Sequence, residues 1–316
     1  GSTFIVGIKE NNFKGDGIKL DANLALTEES IRGKIAYTTP NFAYSDNSLT
    51  ASIESTSTDK EKDYGYKSSL NKILLGTSYE QYQNLYFSPS FSVSLEELTT
   101  TANASSNYKK QEGSYFDTLL NYSISYNTLD SSFRPSNGIV SIFSQELPVL
   151  SDGYNIVNGY QVTGYKEVAN DSILSVGVYT RAVNTLTSGE DVRVSKRMFL
   201  PSSRLRGFEP GKIGPKDGAD FVGGNYMASF NTALSLPFLF PTYDNLDFSI
   251  FFDAANVWHV DYSKNVDQGN SIRSSTGIGL NLITPVGPLS FSVAQPITKQ
   301  DGDVTETVRF NLGTTF

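Results

Sequence analysis

The sequence predicts an all-β protein, a transmembrane antiparallel β-barrel. Three observations carry this: apolar residues at every second position over roughly ten-residue stretches, no convincing period of 3.6, and many aromatic residues. Ile18, Leu20, Ala22, Leu24 and Leu26 alternate with Gly17, Lys19, Asp21, Asn23 and Ala25. Leu85, Phe87, Phe91, Val93 and Leu95 alternate with Ser88, Ser90, Ser92, Ser94 and Glu96. Phe116, Leu120, Tyr122, Ile124 and Tyr126 do so against Asp117, Asn121, Ser123, Ser125 and Asn127. Leu246, Phe248, Ile250 and Phe252 oppose Asp247, Ser249 and Asp253. At the end of the chain Val308, Phe310, Leu312 and Phe316 oppose Arg309, Asn311, Gly313 and Thr315. A soluble sandwich also alternates, with its apolar face inward. Here the polar face is Ser, Thr, Asn and Gly, which suits a wet lumen, and the strands are long, numerous and uninterrupted by helix.

Composition agrees. The 316 residues are 38 % hydrophobic, with a mean hydropathy of −0.26. A transmembrane helix needs roughly 18 or more consecutive apolar residues, and no such run occurs. A barrel hides its apolar content because every second residue faces the lumen. The 20 Phe and 18 Tyr against a single Trp can supply aromatic girdles at the two interfaces. A net charge of −8 argues against nucleic acid as a partner and equally serves plain solubility. The chain has no Cys, which excludes thiolate chemistry and Cys-type zinc sites.

Strands are expected near 3–13, 17–27, 30–40, 47–57, 66–80, 84–98, 114–128, 138–147, 153–167, 171–185, 223–237, 244–258, 271–284, 287–297 and 304–316, about fifteen in all. Bacterial single-chain barrels normally have an even number, so one strand is expected to be missing. Short turns at Lys14-Gly15-Asp16, Glu80 to Gln83 and Pro285-Val286-Gly287 alternate with longer loops such as 99–113. The longest connection, 186–222, reads as one structureless loop of functional length.

That loop holds Leu205-Arg206-Gly207-Phe208, then Ile213-Gly214-Pro215, then Val222-Gly223-Gly224-Asn225. The glycines allow tight turns or close backbone approach. Arg206 can clasp a carboxylate in two places while Phe208 packs beside it. A mobile surface loop with an incidental Arg fits the same residues. Other chemistry has little support. His259, the only histidine, stands beside Trp258 at a strand end and reads as an interfacial residue. There is no G-x-S-x-G elbow, and Gly277-Ile278-Gly279 has no following helix to hold a phosphate. The acidic pairs Glu28-Glu29 and Glu96-Glu97 read as solvated strand ends. No catalytic residue, cofactor or metal ligand is expected.

Leu205-Arg206-Gly207-Phe208 followed by the Ile213-Gly214-Pro215 and Val222 to Asn225 strings resembles the sixth extracellular loop of BamA-type outer-membrane assembly factors. That superfamily also holds the mitochondrial sorting pore and two-partner-secretion transporters. Gly277 to Leu280, Pro285 to Leu289 and Ala294-Gln295-Pro296 are similar to its penultimate strands. Phe251-Phe252-Asp253-Ala254-Ala255-Asn256-Val257-Trp258 resembles its F-x-D-x-G-x-V-W strand. These motifs cover residues 204–316, and Glu10 to Phe13 and Thr39 to Phe42 match more weakly.

The resemblance implies a barrel of about sixteen strands with the long loop folded into the lumen. The segment Thr3 to Phe13 resembles the family's second strand, so the first is the one expected to be absent. The chain is then a single barrel domain, 1–316, without the periplasmic POTRA repeats. The loop Arg206 is expected to meet lumenal partners: Asp253, and Asn231 standing where the family usually has Glu and accepting a hydrogen bond without supplying charge. Phe310, Leu312, Gly313 and Phe316 belong to the terminal strand, one side of the weak seam that serves as lateral gate. The implied function is insertion of other β-barrels into the outer membrane of a Gram-negative bacterium, without covalent chemistry. Implied partners are outer-membrane lipids, unfolded barrel clients, and assembly lipoproteins reached through POTRA domains. A two-partner-secretion pore and a passive porin are the rival readings.

Overall fold

The computed structural model describes residues 4–132, 134–169, 171–262, 266, 270–284 and 287–312. Thr3, Pro285, Val286, Gly313, Thr315 and Phe316, all named above, lie outside them. No helix among the described residues is long and apolar enough to cross a membrane; strands do the crossing.

The wall is built from β1 (Phe4–Phe13), β2 (Ile18–Leu26), β3 (Ser30–Thr39), β4 (Ser48–Lys60), β5 (Tyr66–Tyr82), β6 (Leu85–Thr100), β7 (Gly113–Asn127), β8 (Gly138–Ser151), β9 (Asn155–Ala169) and β10 (Ser172–Thr185). After the long loop it continues with β13 (Tyr226–Ser235), β14 (Leu246–Trp258), β15 (Arg273–Thr284), β16 (Gly287–Thr298) and β17 (Val308–Leu312). Two short strands, β11 (Lys216–Asp217) and β12 (Asp220–Phe221), form a hairpin inside that loop. The fifteen wall strands close on themselves in chain order, with β1 beside β17. In an up-and-down barrel every chain neighbour is antiparallel. An odd number therefore leaves the first and last strands running the same way, and β1 meets β17 in parallel.

The alternation resolves into two faces. On β4 to β6, Ile53, Ile73 and Leu95 are more than half exposed and point outward, toward lipid. Between them Ser52 and Ser94 are buried toward the lumen. On β17 Phe310 and Val308 point outward while Arg309 is buried inside. A barrel satisfies every backbone group by ladder pairing, which is why this low-hydropathy chain can face hydrocarbon.

Several strand ends differ from the expectation: β4 runs on to Lys60 rather than 57, and β8 to Ser151 rather than 147. β13 starts at Tyr226 rather than 223, because Gly223 turns with φ +67° and Gly224 pairs with Met198 of the loop instead of the wall. β17 starts at Val308 rather than 304, because Thr305 bridges to Phe208 and Asp303 is held by Arg273 at 2.9 Å. The long loop thus runs to residue 225. It is not structureless: it contains a 3-10 turn at Val194–Lys196 and the β11–β12 hairpin.

Candidate functional site

The loop at 186–225 leaves β10, enters the lumen and is gripped by two regions of the wall. The first grip is on β14. Arg206 Nε donates to Asp253 Oδ2 at 2.7 Å, and its terminal nitrogen donates to Oδ1 at 2.8 Å. The Arg206 backbone N–H adds a third bond to Oδ2 at 3.1 Å. Asp253 is fully buried. Strand parity directs it inward, between the outward-facing Phe252 and Ala254. Beneath the guanidinium lies the ring of Phe251, its centroid 3.4 Å from Arg206 Cζ. A planar cation with a carboxylate in its plane and an aromatic face below it has nearly all its charge compensated.

Asn231 corrects the expectation. Its carboxamide does not accept from Arg206. Its Nδ2 donates to Asp253 Oδ1 at 2.8 Å and to the Arg204 carbonyl at 2.9 Å, while its Oδ1 accepts from Ser229. The reason is register: Asn231 sits directly across from Asp253 in the β13–β14 ladder, so the carboxylate is its nearest acceptor. It supports the acid rather than the base.

The rest of the motif packs. Leu205, Phe208 and Ile213 are buried in a cluster with Val157, Val183, Met227 and Val257 of the wall. Gly207 has φ +92°, and a Cβ there would stand 3.2 Å from Ala294 Cβ. Gly214 has φ +93°, and a Cβ would meet the Val257 carbonyl at 2.9 Å. Both positions need glycine for conformation and for room. Pro215 supplies the carbonyl that accepts from Val222 N at 3.0 Å. Asn225 ends the loop: its N–H donates to the His259 carbonyl, and its Nδ2 to Asp261 at 3.0 Å.

The second grip is one the sequence reading missed. Arg193 is buried between β6 and β7, its NH1 2.7 Å from Glu96 and 3.0 Å from Asp117. Tyr115 lies under it, the ring centroid 3.8 Å from Cζ, and Lys196 approaches Asp117 to 3.3 Å. Glu96 is therefore not a solvated strand end. It is buried and paired, while its neighbour Glu97 is exposed. The available signal was its place in the inward row Ser90, Ser92, Ser94, Glu96.

A third contact comes from β17: Arg309 donates to the carbonyls of Ser202 at 2.8 Å and Phe208 at 2.6 Å. Above the grips the loop end is capped by a buried cluster that includes Tyr64, Tyr108, Val194, Phe221, Val222 and Tyr262. Tyr64 and Tyr108 donate to the carbonyls of Pro210 and Phe221 at 2.9 and 3.0 Å. Burial pushes the Tyr262 hydroxyl up to about 12, with Arg197 beside it acting oppositely. Burial, reinforced by Asp261, raises Asp191 in the same region.

The barrel closes at the seam between β1 and β17. Among the described residues, β1 and β17 share one register pair, Phe4 with Leu312. On its other side β17 pairs with β16 from Leu289–Leu312 to Val293–Val308. Phe310 points away from the lumen here.

The sequence matches the Omp85 superfamily domain over residues 12–316. The chain belongs to the Omp85 superfamily. Curated Omp85 relatives include the outer membrane protein assembly factor BamA of Neorickettsia risticii, 26 % identical over 245 residues, which are 76 % of this chain and 33 % of that protein. Another is the sorting assembly machinery 50 kDa subunit of Saccharomyces cerevisiae, 27 % identical over 65 % of this chain and 44 % of its own length. The chain thus spans a third to under half of these relatives. Among solved structures, BamA from Haemophilus ducreyi lacking POTRA domains 1–3 superposes with a TM-score of 0.85 at 25 % identity, covering 98 % of this chain and 66 % of that one. CdiB from Acinetobacter baumannii shares the fold at a TM-score of 0.62 and 14 % identity, covering 97 % of this chain and 55 % of its own. This Omp85 chain is a β-barrel of the bacterial outer membrane.

Proposed function

We propose that this Omp85 barrel is the membrane part of a factor that folds and inserts other β-barrel proteins, using the β1–β17 seam as a template edge. The observation that carries the reading is the contrast in the wall. Every other neighbouring pair of wall strands is antiparallel among the described residues, while β1 and β17 close the barrel in parallel through Phe4 and Leu312, a pairing slightly less stable per residue. A strand edge that leaves its neighbour offers free N–H and C=O groups, and a client strand satisfies them by β-augmentation. In hydrocarbon each unsatisfied group costs several kcal/mol, so a client strand at the seam has a strong driving force.

The loop serves this role by holding the remaining wall rigid. Arg206 on Asp253 and Arg193 on Glu96 and Asp117 tie the strap to two separate parts of the wall, so opening is confined to the seam. Partners on this reading are outer-membrane lipids, unfolded barrel clients, and assembly lipoproteins reached through periplasmic repeats of the whole protein.

The test is kinetic. A urea-unfolded outer-membrane barrel is diluted into vesicles that carry this protein or carry none, and folding is followed by heat-modifiable gel mobility. Faster client folding in the loaded vesicles is expected; equal rates contradict the proposal.

A further inference from the structure

The outer wall carries a depression that the assembly role does not use. Cross-strand register builds it in two adjacent rows. One row runs Phe143, Tyr160, Thr180, Ala228 across β8, β9, β10 and β13. The next, nearer the loop end, runs Asn158, Ala182, Tyr226, Trp258 across β9, β10, β13 and β14. Side chains of one row project to one face, and these project outward. Thr180, Ala182 and Ala228 are small and form a floor. Phe143 and Tyr160 rise on one side, Tyr226 and Trp258 on the other. The result is a groove of about 250 Å³ on the bilayer side of the wall.

Its far wall is held in place. Tyr226 is flanked by Trp258, with ring centroids 5.9 Å apart, and stacks on His259 at 5.1 Å with an interplanar angle of 17°. The Tyr226 hydroxyl donates to Asn184 at 2.7 Å, so the ring cannot swing to fill the groove without losing that bond. Tyr160 remains exposed along the opposite rim. Polar groups gather at the loop end of the groove, where Gln145 donates to Asn158 at 2.7 Å. No outward-facing residue of these two rows is charged.

We infer that this groove between Tyr160 and the Tyr226–Trp258 pair holds one acyl chain of a lipid from the loop-side leaflet of the bilayer. The position decides the occupant. The groove opens on the membrane face, where hydrocarbon is the surrounding medium. Trp and Tyr at its loop end are the residue types that sit at headgroup level, which sets the polar end of the lipid beside them. Arg181 also borders the groove but turns its side chain to Glu146, so the outward-facing lining is uncharged and recognises a chain and not a particular headgroup. Apolar side chains against a fixed concave surface gain contact that a flat wall does not offer.

Trp258 is the only tryptophan in the chain, so its fluorescence reports on this site alone. The 316-residue chain is reconstituted in vesicles of phosphatidylcholine brominated on one acyl chain, then moved into micelles of unbrominated detergent. A lipid held in the groove keeps Trp258 quenched after the surrounding lipids have exchanged. Recovery of emission is expected to be about tenfold slower for the wild type than for Thr180→Phe, in which the floor is filled. Heat-modifiable mobility checks that the variant is folded; if it is not, Ala182→Leu replaces it. Equally fast recovery in wild type and variant means that the lipids are only annular, and it overturns the inference.

Discussion

Arg206→Ala is expected to destabilise the barrel by about 3 kcal/mol, the low end of what breaking a buried charge pair costs. The loss does not measure a contact alone. Asp253 is fully buried and would keep only Asn231 and the residue 206 N–H as donors, so its charge would be left without a counter-ion. Asp253→Asn should cost a similar amount for the complementary reason: the guanidinium would remain over Phe251 with no carboxylate in its plane. The double variant should lose little more than either single one, because the two residues act as one unit. Urea unfolding in detergent micelles, followed by Trp258 fluorescence, gives all four corners of the cycle. Strictly additive losses would mean that the loop is held by Leu205, Phe208 and Ile213 alone.

Arg193→Leu should do more damage, about 3–5 kcal/mol. Glu96 and Asp117 are both buried, and they would face the same space with Lys196, 3.3 Å from Asp117, and the Ser68 hydroxyl, 2.8 Å from Glu96, as their remaining partners. Two carboxylates in a low-dielectric site repel strongly and lose hydration as well. Adding Glu96→Gln and Asp117→Asn to Arg193→Leu should restore most of the loss, since the uncompensated charges are then gone. Rescue by neutralisation separates this account from simple loss of packing over Tyr115. If the triple variant is as unstable as the single one, the electrostatic explanation fails.

These two grips were unequally legible in the sequence. Period-2 alternation is a strong signal because one face meets lipid, and it located the fifteen wall strands to within a few residues at most of their ends. The same parity made Asp253 readable as a lumenal acid, while Leu205 to Phe208 was readable through its resemblance to the family's loop motif. Glu96 had the same parity but sat beside Glu97 near a strand end, and a charged pair there resembles a solvated edge. Nothing local to Arg193 shows that it returns to β6 and β7, which are separated from it by many residues of chain. Pairing across a lumen depends on how a long loop folds, and alternation carries no information about that. Asn231 shows the limit in another way. Its inward direction followed from parity, but its partner was set by the register of β13 against β14, which sequence does not display.

The seam is the part of the account on which function depends most. Phe4 and Leu312 are register partners across it, so a cysteine is introduced at each, and the chain has no other thiol. The decisive measurement is the rate at which a client barrel folds into vesicles carrying this double-cysteine protein, oxidised and then reduced. The account predicts that the oxidised form loses its acceleration of client folding and that a reductant restores it. Undiminished acceleration by the fully cross-linked protein would contradict it.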